Sequence, residues 1–175
     1  LPSLPSEFFR RHFFCVRGID MFEPFYKDGL NFECQRCSGC CRYESGYVFL
    51  SEEDISRLLS VLGITRDELL EKYCTKVDIS GTWRISLKEK ANYDCIFWQD
   101  GGCAVYKGRP LQCQSFPFWA PYMESREDWD GLGESCPGVN KGKLHSREEI
   151  EAWLYRRRAE KLISVKPDLK EVLDS

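Results

Sequence analysis

Apolar positions fall at helical spacing in three stretches of the chain. Ile55, Leu58, Leu59 and Leu62 stand at i, i+3, i+4 and i+7, the pattern of a helix with one face on a core. Ser51-x-x-Asp54 caps its start and Gly63 offers a left-handed stop. Thr65-x-x-Glu68 opens a second helix with Leu69, Leu70 and Tyr73 inward, and Ser146-x-x-Glu149 opens a last one over about 146–163. The stripe of that last helix is Ile150, Trp153, Leu154, Ala159, Leu162 and Ile163. Between them lie short β-rich runs: GYVFLS at 46–51, and TWRISL at 82–87 behind a turn at Gly81. Cys95–Trp98 and Cys103–Tyr106 flank QDGG as a hairpin. Pro110 suits the first turn of a short helix that Pro117 ends. Residues 1–31 read as an aromatic, proline-bearing wrap with a short helix near 6–14 and a turn at Asp28-Gly29; 121–145 read as a polar loop, and the chain after Pro167 as a loose tail. No repeat or linker divides the sequence. The expectation is one α+β domain over 1–175, short strands and a hairpin packed with about four helices around cysteine-lined loops.

With 42% hydrophobic and 14% aromatic residues in 175, the chain can bury a core. Lys and Arg number 25 against 28 Asp and Glu, a net charge of −3, which argues against a wholesale nucleic-acid or anionic-membrane binder. No apolar run approaches the ~20 residues of a membrane helix. The opening LPSLPSEFFRRHFFCVRG lacks the continuous apolar stretch of a secretory signal. A cytoplasmic location is therefore expected, where structural disulfides are rare. No membrane partner is expected; a protein partner or substrate is left unnamed.

Ten cysteines change the picture. Cys34, Cys37, Cys40 and Cys41 form CxxCxxCC inside FECQRCSGCCR, and Cys95, Cys103, Cys113 and Cys136 follow at wider spacing. A CxxC step lets two thiolates reach one soft cation, and a second step adds a third from the same loop. Three such cysteines completed by a distant one before proline is an iron–sulfur spacing, and Cys136-Pro137 fits it. Gly39 would supply a φ > 0 turn inside the loop. Because neighbours along a chain diverge, Cys40 and Cys41 are assigned to different sites: Cys34, Cys37, Cys40 and Cys136 in one, Cys41, Cys95, Cys103 and Cys113 in the other. One site drawn from these eight cysteines, with spare thiols left over, is the alternative. The expected cofactor is one or two iron–sulfur clusters of the 4Fe–4S kind, with a redox or modification-related role; the alternative is a structural zinc module without catalysis. Arg36, Arg42, Lys107 and Arg109 could offset the negative charge of such centres.

At these residues the chain resembles the YkgJ-like CxxCxxCC family of zinc- or iron-chelating domains, often labelled iron–sulfur cluster proteins. The stretches that carry the resemblance are GLNFECQRCSGCCR at 29–42, YVFLSEEDISRLL at 47–59, DCIFWQDGGCAVYKGRPLQCQSFPFW at 94–119 and ESCPGVNKG at 134–142. The resemblance implies that the eight clustered cysteines are the functional ones, and leaves Cys15 and Cys74 as small buried hydrophobes. Two departures are Gln114, where the family often carries Arg, and Asn140, where Gly is usual. Flagellin lysine N-methylases resemble the family too but extend well beyond it.

Other chemistry is thin. There is no GxGxxG after a strand, no Walker loop and no HExxH. His12 and His145 read as polar surface rather than ligands. Arg109 is read as fixing the Cys103–Cys113 loop through carbonyls, and Arg156–Arg158 as a solvated face from which Arg156 or Arg157 can pair with Glu160.

Overall fold

The computed structural model describes residues 23–166 except 43 and 100. The helix expected near 6–14, His12, Cys15 and the tail after Pro167 lie outside the described residues.

Among the described residues the first strand is β1 (Leu30–Phe32), and the chain then reaches a 3-10 turn (Gly39–Cys41) through the cysteine loop. Helix α1 (Glu52–Leu62) starts at Ser51 with the reciprocal bonds of a capping box and ends at Gly63 in the left-handed conformation, φ 65°. Helix α2 (Arg66–Tyr73) is capped in the same way by Thr65 and Glu68. It runs straight into β2 (Cys74–Ile79), which turns back as β3 (Thr82–Leu87). Ser80 and Gly81 both have positive φ, 52° and 82°, the backbone a two-residue hairpin loop demands. The segment 46–51 lies along β3: Leu50 N–H donates to Ile85 at 3.0 Å and Leu87 N–H to Val48 at 3.0 Å.

Next come the small hairpin β4 (Trp98–Gln99) and β5 (Gly102–Cys103), then α3 (Leu111–Ser115). Pro110 sits at the cap of α3, one residue earlier than expected, and Phe116, ahead of Pro117, is already extended.

Residues 121–145 are not a loop. They hold α4 (Arg126–Leu132) and β6 (Val139–His145). Helix α4 is short and capped by Ser125. Strand β6 shows no alternation, because only Val139 is buried along it; its place is set by pairing with β1, Leu30 opposite His145 and Phe32 opposite Val139 across a bulge.

The last helix, α5 (Arg147–Ala159), stops four residues short of the expected 163. Leu162 and Ile163 leave it because the edge of β3 and the 50–51 backbone offer hydrogen bonds: Ile163 N–H donates to Leu50 at 2.9 Å, and β7 (Ser164–Val165) pairs with β3. At the start of α5, Ser146 Oγ accepts from the Glu149 amide, but the Glu149 carboxylate turns to Lys143 and His145 instead of closing a capping box.

The architecture is α+β, with five α-helices and three small antiparallel sheets among the described residues. Two apolar clusters form the core. One gathers Leu30, Phe32, Phe118, Trp129, Val139 and Ile150. The other gathers Leu50, Ile55, Leu58, Leu69, Ile85 and Phe97. The cysteine loop crosses the seam between them.

Candidate metal centre

The loop Cys34–Cys41 leaves β1 and winds through two left-handed residues, Arg36 (φ 51°) and Ser38 (φ 65°), into the 3-10 turn, where Cys41 N–H bonds Ser38 at 2.9 Å. The positive φ expected at Gly39 falls on these neighbours. Gly39 is needed for closeness, since a Cβ there would stand 3.1 Å from the Ser135 carbonyl oxygen, on the segment that carries Cys136. Two further ties place the distant cysteines. Cys95 N–H donates to the Cys41 carbonyl at 2.8 Å, and Glu33 N–H donates to Gly138 at 3.3 Å.

These ties open a cleft of about 550 Å³ along the seam, walled by Phe32 and Phe116 from one core cluster and Val48 and Leu87 from beside the other. Cys34, Cys37, Cys40, Cys41, Cys95 and Cys136 line it. Cys103 and Cys113, half-buried on β5 and α3, do not line it. All nine described cysteines are free thiols. Cys40 and Cys41 do not diverge: their sulfurs lie 3.7 Å apart. Cys74, at the end of α2, is buried in the second apolar cluster, as a small hydrophobe would be.

The electrostatics of the sulfurs follows from this crowding. The neighbouring Cys41 thiol lowers Cys40 to about 7 against the opposing effect of burial, with help from Arg109. The same contact, then burial and the charges of Cys40, Cys113 and Cys95, push Cys41 far up. Burial raises Cys113, with Cys95, Cys40 and Cys103 adding to it, and burial likewise raises Cys95, Cys103 and Cys136. The raised thiols favour the neutral form until a cation joins them, whereas Cys40 is lowered towards the thiolate, and soft cations are the ones thiolates hold. The donor set therefore suits zinc or iron. Among the described residues no three histidine, cysteine, aspartate or glutamate side chains already form a ligating array.

Of the candidate cations, Arg42 forms an ion pair with Asp94 at 2.9 Å and stacks 3.8 Å from the Trp98 ring, next to Cys41. Trp98 is one of the aromatics the sequence places among the cysteines, whereas Asp94 and Asn92, which donates to Asp94 at 2.9 Å, carry no sequence signal beyond an acid beside Cys95. Arg109 does bond a carbonyl, that of Tyr106 at 3.1 Å, and stacks on its ring, while Arg36 approaches the same ring at 5.0 Å. Lys107 is exposed. His145 serves the fold, bridging the Phe32 carbonyl and Glu149 at 3.1 Å each. In the basic run, Arg157 pairs with Glu160 and Arg156 lies over Trp153.

A small α+β fold that brings thiols from three separate segments to the wall of one cleft suits a metal-chelating module. The chain belongs to the CxxCxxCC family: the family model, described as a "putative zinc- or iron-chelating domain", matches residues 33–137. It is thus a metal-binding domain of the zinc- or iron-chelating type. No solved structure matches the chain. No helix among the described residues is long and apolar enough to cross a membrane.

Proposed function

We propose that the protein binds iron–sulfur clusters in the cytoplasm and serves a redox or modification-related role there. Cys34, Cys37, Cys40 and Cys136 would hold one centre, and Cys41, Cys95, Cys103 and Cys113 the second. The observation that supports the reading is the cleft along the seam of the core, which six of these eight thiols line, Cys34, Cys37, Cys40, Cys41, Cys95 and Cys136, while the buried Cys74 lies apart from it. Cys136 feels the charges of Cys37 and Cys40, and Cys41 those of Cys113 and Cys95, in keeping with this division; Cys40 also reaches Cys41, Cys103 and Cys113, and would stand where the two centres meet. The aromatic wall of Phe32, Phe116 and Trp119 limits solvent access, one of the levers on a cluster's potential. A bound cluster would supply one-electron chemistry. This chain's own residues position the thiolates, and Arg42 and Arg109 place positive charge beside them.

Elemental analysis and an optical spectrum of protein isolated without oxygen test the proposal. Iron with equimolar sulfide and a broad band near ~400 nm that bleaches on reduction are expected. Colourless protein with about two zinc ions per chain would replace this reading with the second one, a structural module of two closed tetrahedral sites.

A further inference from the structure

Away from the cysteines, the start of α1 and the end of α5 bury two carboxyl groups against each other. The Asp54 side chain is fully buried and that of Glu160 is 4% exposed. Asp54 is fully engaged: it accepts from Ser51 N–H at 3.0 Å and Leu111 N–H at 2.8 Å, and pairs with Arg57. Glu160 is not. One of its oxygens meets Arg157, while the other, Oε1, is buried without a hydrogen bond, the Ser51 hydroxyl being the nearest neutral donor to the carboxyl. An ionised oxygen buried in that position is disfavoured unless a donor or a proton meets it. The charged group facing Glu160 is the Asp54 carboxylate, which when ionised can only accept, so contact between the two carboxyl groups needs a proton on one of them, which the Ser51 hydroxyl opposes only weakly.

We propose that Asp54 and Glu160 form a proton-operated latch: one proton held between the two carboxyl groups fastens the 160–166 segment across α1, and its loss on the alkaline side loosens that segment. What the latch holds is visible in the chain that follows. Ile163 N–H bonds Leu50, and Arg84 of β3 grips the Leu162 carbonyl and Ser164 Oγ at 2.9 Å each. Through Leu111 N–H the same Asp54 also seats the first turn of α3. The charged and polar groups around Glu160 are Asp54 and Ser51 from the start of α1, Arg57 and its second partner Glu53 behind Asp54, and Arg157 on its own helix.

The sign follows from the environments. Burial first, then the Asp54 contact and charge, raise Glu160 from 4.5 to about 7, against Arg157. Burial opposes Asp54's ionisation, but the Ser51 and Leu111 amides outweigh it and Asp54 lies below its ordinary 3.8. The closed latch therefore holds more protons than the open one between pH 4.5 and about 7, and its stability falls as pH rises through that window, by at most tenfold in the closing equilibrium per pH unit. On the acid side it weakens only below the ordinary Asp value.

Hydrogen exchange of the Ile163 amide, corrected for intrinsic rate and followed from pH 5 to pH 8.5 in the metal-loaded full chain, tests this. Wild type should lose tenfold or more of its protection over the range, and Glu160→Gln should hold it level. A carbon-13 titration of labelled Glu side chains should show one carboxyl with a midpoint near 7 that vanishes in Glu160→Gln and moves upward in Arg157→Gln. Flat protection in wild type, or a Glu160 midpoint near 4.5, would overturn the proposal. Should Glu160→Gln not fold, the wild-type profile and the Arg157→Gln shift decide alone.

Discussion

Replacing Gly138 by alanine tests how the cysteine segments are held together. The Gly138 carbonyl receives the Glu33 amide at 3.3 Å, so the segment after Cys136 lies directly on the backbone before Cys34. An alanine Cβ would run into the Glu33 carbonyl oxygen, stand 3.1 Å from its carbon and reach 3.0 Å from the Phe32 ring. Carbon atoms in good contact are about 3.5–4.0 Å apart, so the two segments must part by about 0.5 Å or more. Backbone meets backbone, and a buried ring closes the other side, so neither yields cheaply. Overpacking of this kind costs about 1–3 kcal/mol, which for a chain of this length lowers Tm by roughly 2–12 °C. The consequence for the site is sharper. Metal–thiolate distances tolerate about 0.2 Å, and Cys34 and Cys136 ride on the two segments being separated. Calorimetry and metal analysis of Gly138→Ala should find lowered Tm together with loss of the centre proposed to join Cys34 and Cys136, while the second centre persists. Wild-type Tm with full metal content would refute the reasoning.

Gly131 makes the contrast: it lies in α4 with nothing within 4 Å of a built Cβ, so Gly131→Ala should raise stability by about 0.5–1 kcal/mol, read as a small increase in Tm. Cys95→Ser and Cys113→Ser should give metal-poor or insoluble protein, since each removes a proposed ligand far in sequence from the loop. Cys15→Ser and Cys74→Ser should keep full metal; burial already holds the Cys74 thiol neutral, near 11, and bound metal per chain for the four variants is the measurement. If Cys15→Ser strips metal as Cys113→Ser does, the eight-ligand assignment fails. Asn140 sits at φ 59° and its side chain accepts from Trp129 Nε1 at 2.7 Å and donates to Asp130 at 2.9 Å. Asn140→Ala should therefore cost about 1–3 kcal/mol in a denaturant titration, and more than Asn140→Gly, which spares the backbone.

The local signals in the sequence determined whatever short-range physics decides. The caps at Ser51 and Thr65 and the stop at Gly63 need only neighbours three or four residues away, and they formed as the pattern said. The spacing of Cys34, Cys37, Cys40 and Cys41 marked the loop and its chemistry. What the sequence did not disclose depends on partners distant along the chain. Strand β6 is almost wholly exposed and owes its place to hydrogen bonds from β1, more than a hundred residues earlier. The C-terminal end of α5 looked helical by stripe, yet the unpaired edge of β3 and the Leu50 carbonyl drew residues 162–165 out of the helix. The positions of Cys95, Cys113 and Cys136 around the loop belong to the same kind of decision, because backbone ties from Cys41 and Glu33 and the seam between two apolar clusters set them. So does the Asp54–Glu160 contact, in which a residue read as a helix cap also binds α3 and the far end of the chain. A donor's identity is written in its codon, but its neighbours are chosen by packing, and packing is a property of the whole chain.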